Sequence, residues 1–93
     1  MKIILVYDIE LKESKDQKRL NRAKKIARKY LNHIQKSVFE GELTYGQFSR
    51  LKTEILNVID REKDSVIIYE IPDGVELRRN ILTEKEPPTG NII

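Results

Sequence analysis

Residues 3–7, Ile-Ile-Leu-Val-Tyr, form an unbroken apolar run that stops on an aspartate. The run is too short to span a membrane and is rich in β-branched residues, so it reads as a central strand covered on both faces. Asp8 then marks where that strand leaves the core. An ionised carboxylate beside a core loses hydration unless a metal, a donor or a water-filled groove compensates it. Two readings stay open. Asp8 starts a turn or caps a nearby helix, or it faces something that attracts negative charge.

The chain of 93 residues provides one domain around that strand, at the small end of what forms a single core unaided. No apolar stretch approaches the ~20 residues that a bilayer-crossing helix needs, and no signal-peptide pattern opens the sequence. A cytoplasmic protein without a membrane partner is expected. The absence of cysteine excludes disulfides, thiol catalysis and thiolate zinc sites. A single histidine, His33, excludes a histidine-rich metal centre.

The net charge of +3 conceals a segregation. Residues 11–30 hold nine Lys or Arg against only Glu13 and Asp16, so the rest of the chain is net acidic. Such a distribution predicts one positive surface and a polyanionic partner. Leu20, Ala23, Ile26, Ala27, Tyr30 and Leu31 recur at helical spacing, predicting an amphipathic helix over about 15–31. Lys18, Arg22, Lys25, Arg28 and Lys29 fall on or beside its opposite face. Few acidic residues sit four positions away to offset their mutual repulsion.

Asn32 and His33 are expected to end this helix, followed by an extended segment from Ile34 to Leu43. Gly41 interrupts that segment and predicts a bulge, kink or tight turn, giving one bent strand or two short ones. Thr44, with Gln47 three residues on, forms a capping box for a second helix. Phe48, Leu51, Ile55, Val58 and Ile59 are its buried stripe. Ser65–Ile71 reads as another strand, Pro72-Asp73-Gly74 as a turn, and the alternation over 75–82 as a further half-exposed strand. A linker-like segment containing Pro87-Pro88 precedes Asn91-Ile92-Ile93, which would be buried by docking on an edge strand, including one of a partner chain.

The order β–α–β–β–α–β, with a further C-terminal strand, predicts an α+β plait of ferredoxin-like type over residues 1–83 and a tail over 84–93. Two helices cover only one face of such a sheet. Several strands are apolar on both faces, so the open face is expected to pack on a second copy, as a two-fold homodimer through the sheet.

Four segments carry a family resemblance. They are Val6-Tyr7-Asp8-Ile9, Asn21-Arg22 in the basic helix, Ile34 to Leu43 (Gln-x-Ser-Val-Phe-x-Gly-x-Leu), and Asp64-Ser65-Val66-Ile67-Ile68-Tyr69. In order and separation they resemble the CRISPR-associated protein 2 family over about residues 2–72. The resemblance implies a ferredoxin-like fold and a symmetric dimer beside the CRISPR integrase, with double-stranded DNA lying across it. It also implies a Mg2+-dependent endonuclease on single-stranded RNA or double-stranded DNA, in which Asp8 from both chains is the catalytic, metal-binding residue. Arg22 matches a basic family position. Arg19 adjoins Leu20, which stands where many relatives carry arginine, and joins Arg22, Lys25 and Arg28 as a nucleic-acid-binding candidate. Ser37 and Phe39 would flank the cleft, with Phe39 stacking on a base or packing at the dimer interface. Tyr7 could position a phosphate or fill the core. His33, where relatives often carry arginine, is a supporting candidate that more readily caps or packs than acts as a general base.

Three functions remain open on these residues. The chain is a DNA-binding adaptor without catalysis, a metal-dependent phosphodiesterase built on paired Asp8 carboxylates, or a toxin-like endoribonuclease of a related ferredoxin-like family. The Gln35–Leu43 motif argues against the third.

Overall fold

The computed structural model describes residues 1–85. It contains β1 (Lys2–Asp8), α1 (Ser14–Tyr30), β2 (Asn32–Gln35), β3 (Val38–Glu42), α2 (Tyr45–Val58) and β4 (Ser65–Ile71). The strands form one sheet in the order β2-β3-β1-β4, and every neighbouring pair is antiparallel. This is the βαββαβ ferredoxin-like plait.

β1 is central, as its apolar run requires. Ile3, Leu5 and Tyr7 point into the core beside Phe39, Ala23, Ala27, Leu31, Phe48, Leu51 and Ile55. Covering on both faces is not achieved by the described residues of one chain. Ile4 and Val6 are only half-buried on the opposite face, where their register neighbours include Tyr69 and Ile67. Ile67 and Tyr69 are 48% and 54% exposed, so this face is both apolar and largely open.

α2 begins as its sequence dictates. The Thr44 hydroxyl accepts the Gln47 N–H at 3.2 Å, and the Gln47 side chain accepts the Thr44 N–H at 2.9 Å. α1 also starts with a capping box, here built on a buried acid at the third helical position: Asp16 Oδ2 accepts the N–H groups of Lys12 and of the N-cap Glu13 at 2.9 and 2.8 Å. The Glu13 N–H lies at the helix start and the Lys12 N–H just before it, and the negative charge suits the positive end of the helix dipole.

Three expectations are corrected. Asn32 and His33 do not close the helix but open β2. The bend in the following segment falls at Lys36 and Ser37, and the irregularity lies in β2 between His33 and Gln35, whereas Gly41 pairs regularly with Ile3. A Cβ at Gly41 would stand 3.2 Å from Leu31 Cδ2, so the glycine serves close approach of β3 to the end of α1 and not a bend. Finally, residues 75–82 form no strand. The Pro72–Gly74 turn does form, with Gly74 at φ 84 and the Val75 N–H donating to the Pro72 carbonyl at 3.2 Å. Beyond it Arg79 pairs with Glu40 of β3. The segment therefore heads over the sheet instead of running beside β4, and a cleft separates its end from β2, so it joins no ladder among the described residues. The expectation for Asn91-Ile92-Ile93 lies outside the described residues.

Candidate active site and nucleic-acid interface

Asp8 ends β1 opposite Ser65, the first residue of β4. Strand alternation puts it on the open face with Ile4 and Val6, and it is exposed. Its carboxylate takes part in no hydrogen bond or ion pair among the described residues, so it caps no helix there. The β2–β3 turn lies alongside, because the Tyr7 N–H donates to the Ser37 carbonyl at 3.1 Å. Asp8 and Ser37 thus share one end of the sheet.

Tyr7 is a core residue. It is buried, its ring lies 5.7 Å from that of Phe39, and its hydroxyl donates to the Lys36 carbonyl at 3.4 Å. Burial pushes its phenol above the ordinary value, opposed by the nearby Arg28 guanidinium. Phe39 is fully buried and stacks on His33 at 4.3 Å with the rings nearly parallel. A base has no access to it in this conformation. His33 uses both ring nitrogens: Arg28 donates to Nδ1 at 3.1 Å, and Nε2 lies 3.1 Å from the Lys36 carbonyl, which needs its proton. That tautomer makes His33 a packing and bridging residue between α1 and the β2–β3 turn, with no nitrogen left for general-base work.

The basic residues divide. Arg22, Lys25 and Arg28 are exposed on α1, as an interface requires. Arg19 is turned inward, which corrects its expected role on nucleic acid. Its Nε and Nη2 donate to Asp64 at 2.6 and 2.9 Å. Nη1 donates to Asp16 at 2.6 Å and Nη2 to the Glu10 carbonyl at 3.3 Å. The Arg19 guanidinium, with backbone donors from Glu13 and Lys12, holds Asp16 far below the usual carboxylate range. The same guanidinium also lowers Asp64, and both carboxylates raise Arg19.

Sequence reading missed Asp16 and Asp64 as buried ions, since one stands where a polar segment enters a helix and the other opens a strand straight after a charged loop. For Asp16 a signal was present in its spacing, one helical turn from Arg19; Asp64 meets Arg19 only through the fold. Glu40 was also missed. It is buried between Lys2 at 3.5 Å and Arg79. The Lys2 contact is an ion pair too long to satisfy Glu40 Oε2 by a hydrogen bond.

A cleft of about 840 Å³ lies between β2 and the 79–85 segment, lined by Gln35, Lys36 and Arg79 among others. Asp8 is not among its lining residues, so depth and candidate chemistry do not coincide. Nor does one chain bring the basic face of α1 to Asp8, because the helices cover the face of the sheet opposite to the one that Asp8 occupies. Among the described residues no three His, Cys, Asp or Glu side chains gather as a metal site. Mg2+ is ordinarily held by one or two carboxylates together with waters and substrate phosphates. One exposed carboxylate such as Asp8 is compatible with that chemistry.

Comparison with known proteins gives this geometry its relatives. The model of the CRISPR associated protein Cas2 family matches residues 1–79. A protein of Moorella thermoacetica named CRISPR-associated endoribonuclease Cas2 2 is 50% identical over 91 residues, covering 98% of this chain and 100% of that protein. A CRISPR-associated endoribonuclease Cas2 of Methanocaldococcus jannaschii is 43% identical over 93 residues, covering 100% of this chain and 76% of its own length. Among solved structures, one described as cas2 superposes with a TM-score of 0.73 at 31% identity, covering 100% of this chain and 97% of that one. Streptococcus pyogenes Cas2 gives 0.71 at 28% identity, covering 85% of this chain and 100% of that one. With sequence and fold agreeing over nearly the whole described length, this chain belongs to the Cas2 family of CRISPR-associated proteins.

Proposed function

We propose that this chain is a dimeric endoribonuclease of a CRISPR system, cleaving single-stranded RNA with Mg2+ held by Asp8 from each of two copies. The observation that carries the reading is Asp8 itself: exposed, unengaged, and fixed at the end of a buried strand on the open apolar face. The names of the relatives from M. thermoacetica and M. jannaschii support RNA as substrate. Two like charges brought together across a two-fold axis favour a bound cation. Bound there, the ion would polarise a phosphoryl oxygen and activate water. The chain's own residues do the rest. Arg22 and Lys25 hold the polyanion, and the Tyr7 and His33 contacts to the Lys36 carbonyl fix the β2–β3 turn beside Asp8.

Asp8→Asn removes the charge and keeps the shape. Cleavage of a labelled single-stranded RNA by wild type should require Mg2+ and fall at least about 100-fold in the variant, with RNA binding retained. Equal cleavage by the two proteins would defeat the assignment.

A second reading is favoured by the exposed Arg22 and Lys25: the dimer is the nucleic-acid-binding adaptor of spacer acquisition, working with the CRISPR integrase on double-stranded DNA. The two readings are compatible, since the basic face does not include Asp8. Spacer acquisition that survives Asp8→Asn but not Arg22→Glu with Lys25→Glu is the outcome this adaptor role predicts. The family match removes the ground for a toxin-like endoribonuclease outside CRISPR.

A further inference from the structure

We propose that Arg19 and Asp64 are positioning residues for Asp8, acting as a clasp on the backbone just beyond it. The observations concern Glu10, two residues after Asp8. Its N–H donates to Asp64 Oδ1 at 3.2 Å, and its carbonyl accepts from Arg19 Nη2 at 3.3 Å. Both backbone polar atoms of one loop residue are therefore held by a single ion pair. That pair is two-pronged, and the Asp64 side chain is fully buried. Asp64 is also the residue before Ser65, which lies opposite Asp8 in the β1–β4 ladder. Its Oδ2 further accepts the Asp60 N–H at 2.8 Å, tying in the loop that leads to β4.

Asp8 thus has the β1–β4 ladder on one side and the clasp on the other. Among the described residues its own side chain makes no hydrogen bond that would orient it, so its orientation depends on the backbone that carries it. A surface turn that only had to reverse the chain would not require a buried guanidinium between two carboxylates, which is costly to desolvate. A carboxylate that must meet a cation shared with another copy does require a fixed origin. Partners that orient a metal ligand commonly matter about 10–100-fold in affinity or activity when changed.

This inference rests on the reading of Asp8 as a metal-binding carboxylate, so its test separates the two. In the full chain, Mn2+ affinity is titrated for wild type, Asp8→Asn, Asp64→Asn, Arg19→Lys and Asp16→Asn. Melting temperature and the kcat and KM of RNA cleavage are measured beside it. Asp64→Asn and Arg19→Lys should weaken Mn2+ binding about 10–100-fold and lower kcat. The KM for RNA should stay near the wild-type value, because Arg22 and Lys25 are untouched. Asp16→Asn weakens the helix-start arm of the network, the Arg19 Nη1 contact included, and leaves the Arg19–Asp64 fork and both Glu10 contacts in place. It should lower the melting temperature without weakening Mn2+ binding.

Wild-type Mn2+ affinity in Asp64→Asn and Arg19→Lys, with binding lost in Asp8→Asn, would overturn the clasp and leave the metal reading standing. So would a loss in Asp16→Asn as large as theirs, since the network would then act through stability alone. Undiminished binding in Asp8→Asn would overturn the metal reading and the clasp together. Should Asp64→Asn fail to fold, Arg19→Lys, which keeps the charge but loses the fork, carries the comparison.

Discussion

Arg19 and Arg22 lie three positions apart on one helix and have opposite fates. Arg19 spends its donors on Asp16, Asp64 and a backbone carbonyl, leaving little for a phosphate. Arg22 keeps its donors in solvent. Replacing Arg22 and Lys25 together by glutamine should lower the slope of log K against log salt by about 1.4 for single-stranded RNA, at ~0.7 per lost phosphate contact. Salt titration of RNA binding checks this, and an unchanged slope removes the exposed face of α1 from the interface. Phe39→Ala should cost about 3–5 kcal/mol of stability as a buried aromatic truncation, read by denaturant unfolding. It should not act as the loss of a base-stacking platform. The sequence could single out Phe39, because its motif is specific. It could not tell a buried ring from a stacking one, since that depends on His33 covering it from the next strand. Asp8 was the opposite case: the apolar run before it made both its strand-end position and its exposure readable.

At the level of elements, those with a strong local signal formed where expected. β1, α2 and β4 each have a continuous apolar run or a capping box to fix their ends. α1 ends one residue earlier than its periodicity suggests. What was not legible depends on partners distant in sequence. Gly41 reads locally as a breaker, yet it answers to Leu31. Residues 75–82 alternate as a strand should, but their path leaves the β4 edge for Glu40 of β3 and stands off β2 across a cleft, so no ladder forms. The tie between α1 and β4 is likewise long-range, and it has a pH signature. Asp16 and Asp64 titrate lower in the folded chain than in the unfolded one, chiefly through Arg19. Their stabilisation is therefore complete above the unfolded carboxylate value of about 4 and is lost as the pH falls below it toward the depressed folded values. Chemical unfolding from pH 6 down to pH 2 should show that decline. Arg19→Met should start less stable and decline less steeply. An equal slope in both proteins would mean that the network is not what titrates.

The whole molecule is asymmetric between its two faces. Helices seal one side of the sheet, while the other presents Ile4, Val6, Ile67 and Tyr69 around a strand whose end carries an unengaged carboxylate. No helix among the described residues is long and apolar enough to cross a membrane. Under the proposed function the partner for this exposed apolar face is a second copy. In the proposed dimer Asp8 would gain a second carboxylate from the other copy, so cleavage would be a property of the pair and not of the chain. Ile67→Asp places a charge in the middle of that face without touching Asp8, α1 or the core. The direct measurement is RNA cleavage per chain by this variant, at a concentration where sedimentation shows wild type paired and the variant single. The account predicts that the single chains remain folded and lose cleavage. Folded monomers that cleave at the wild-type rate per chain would contradict it.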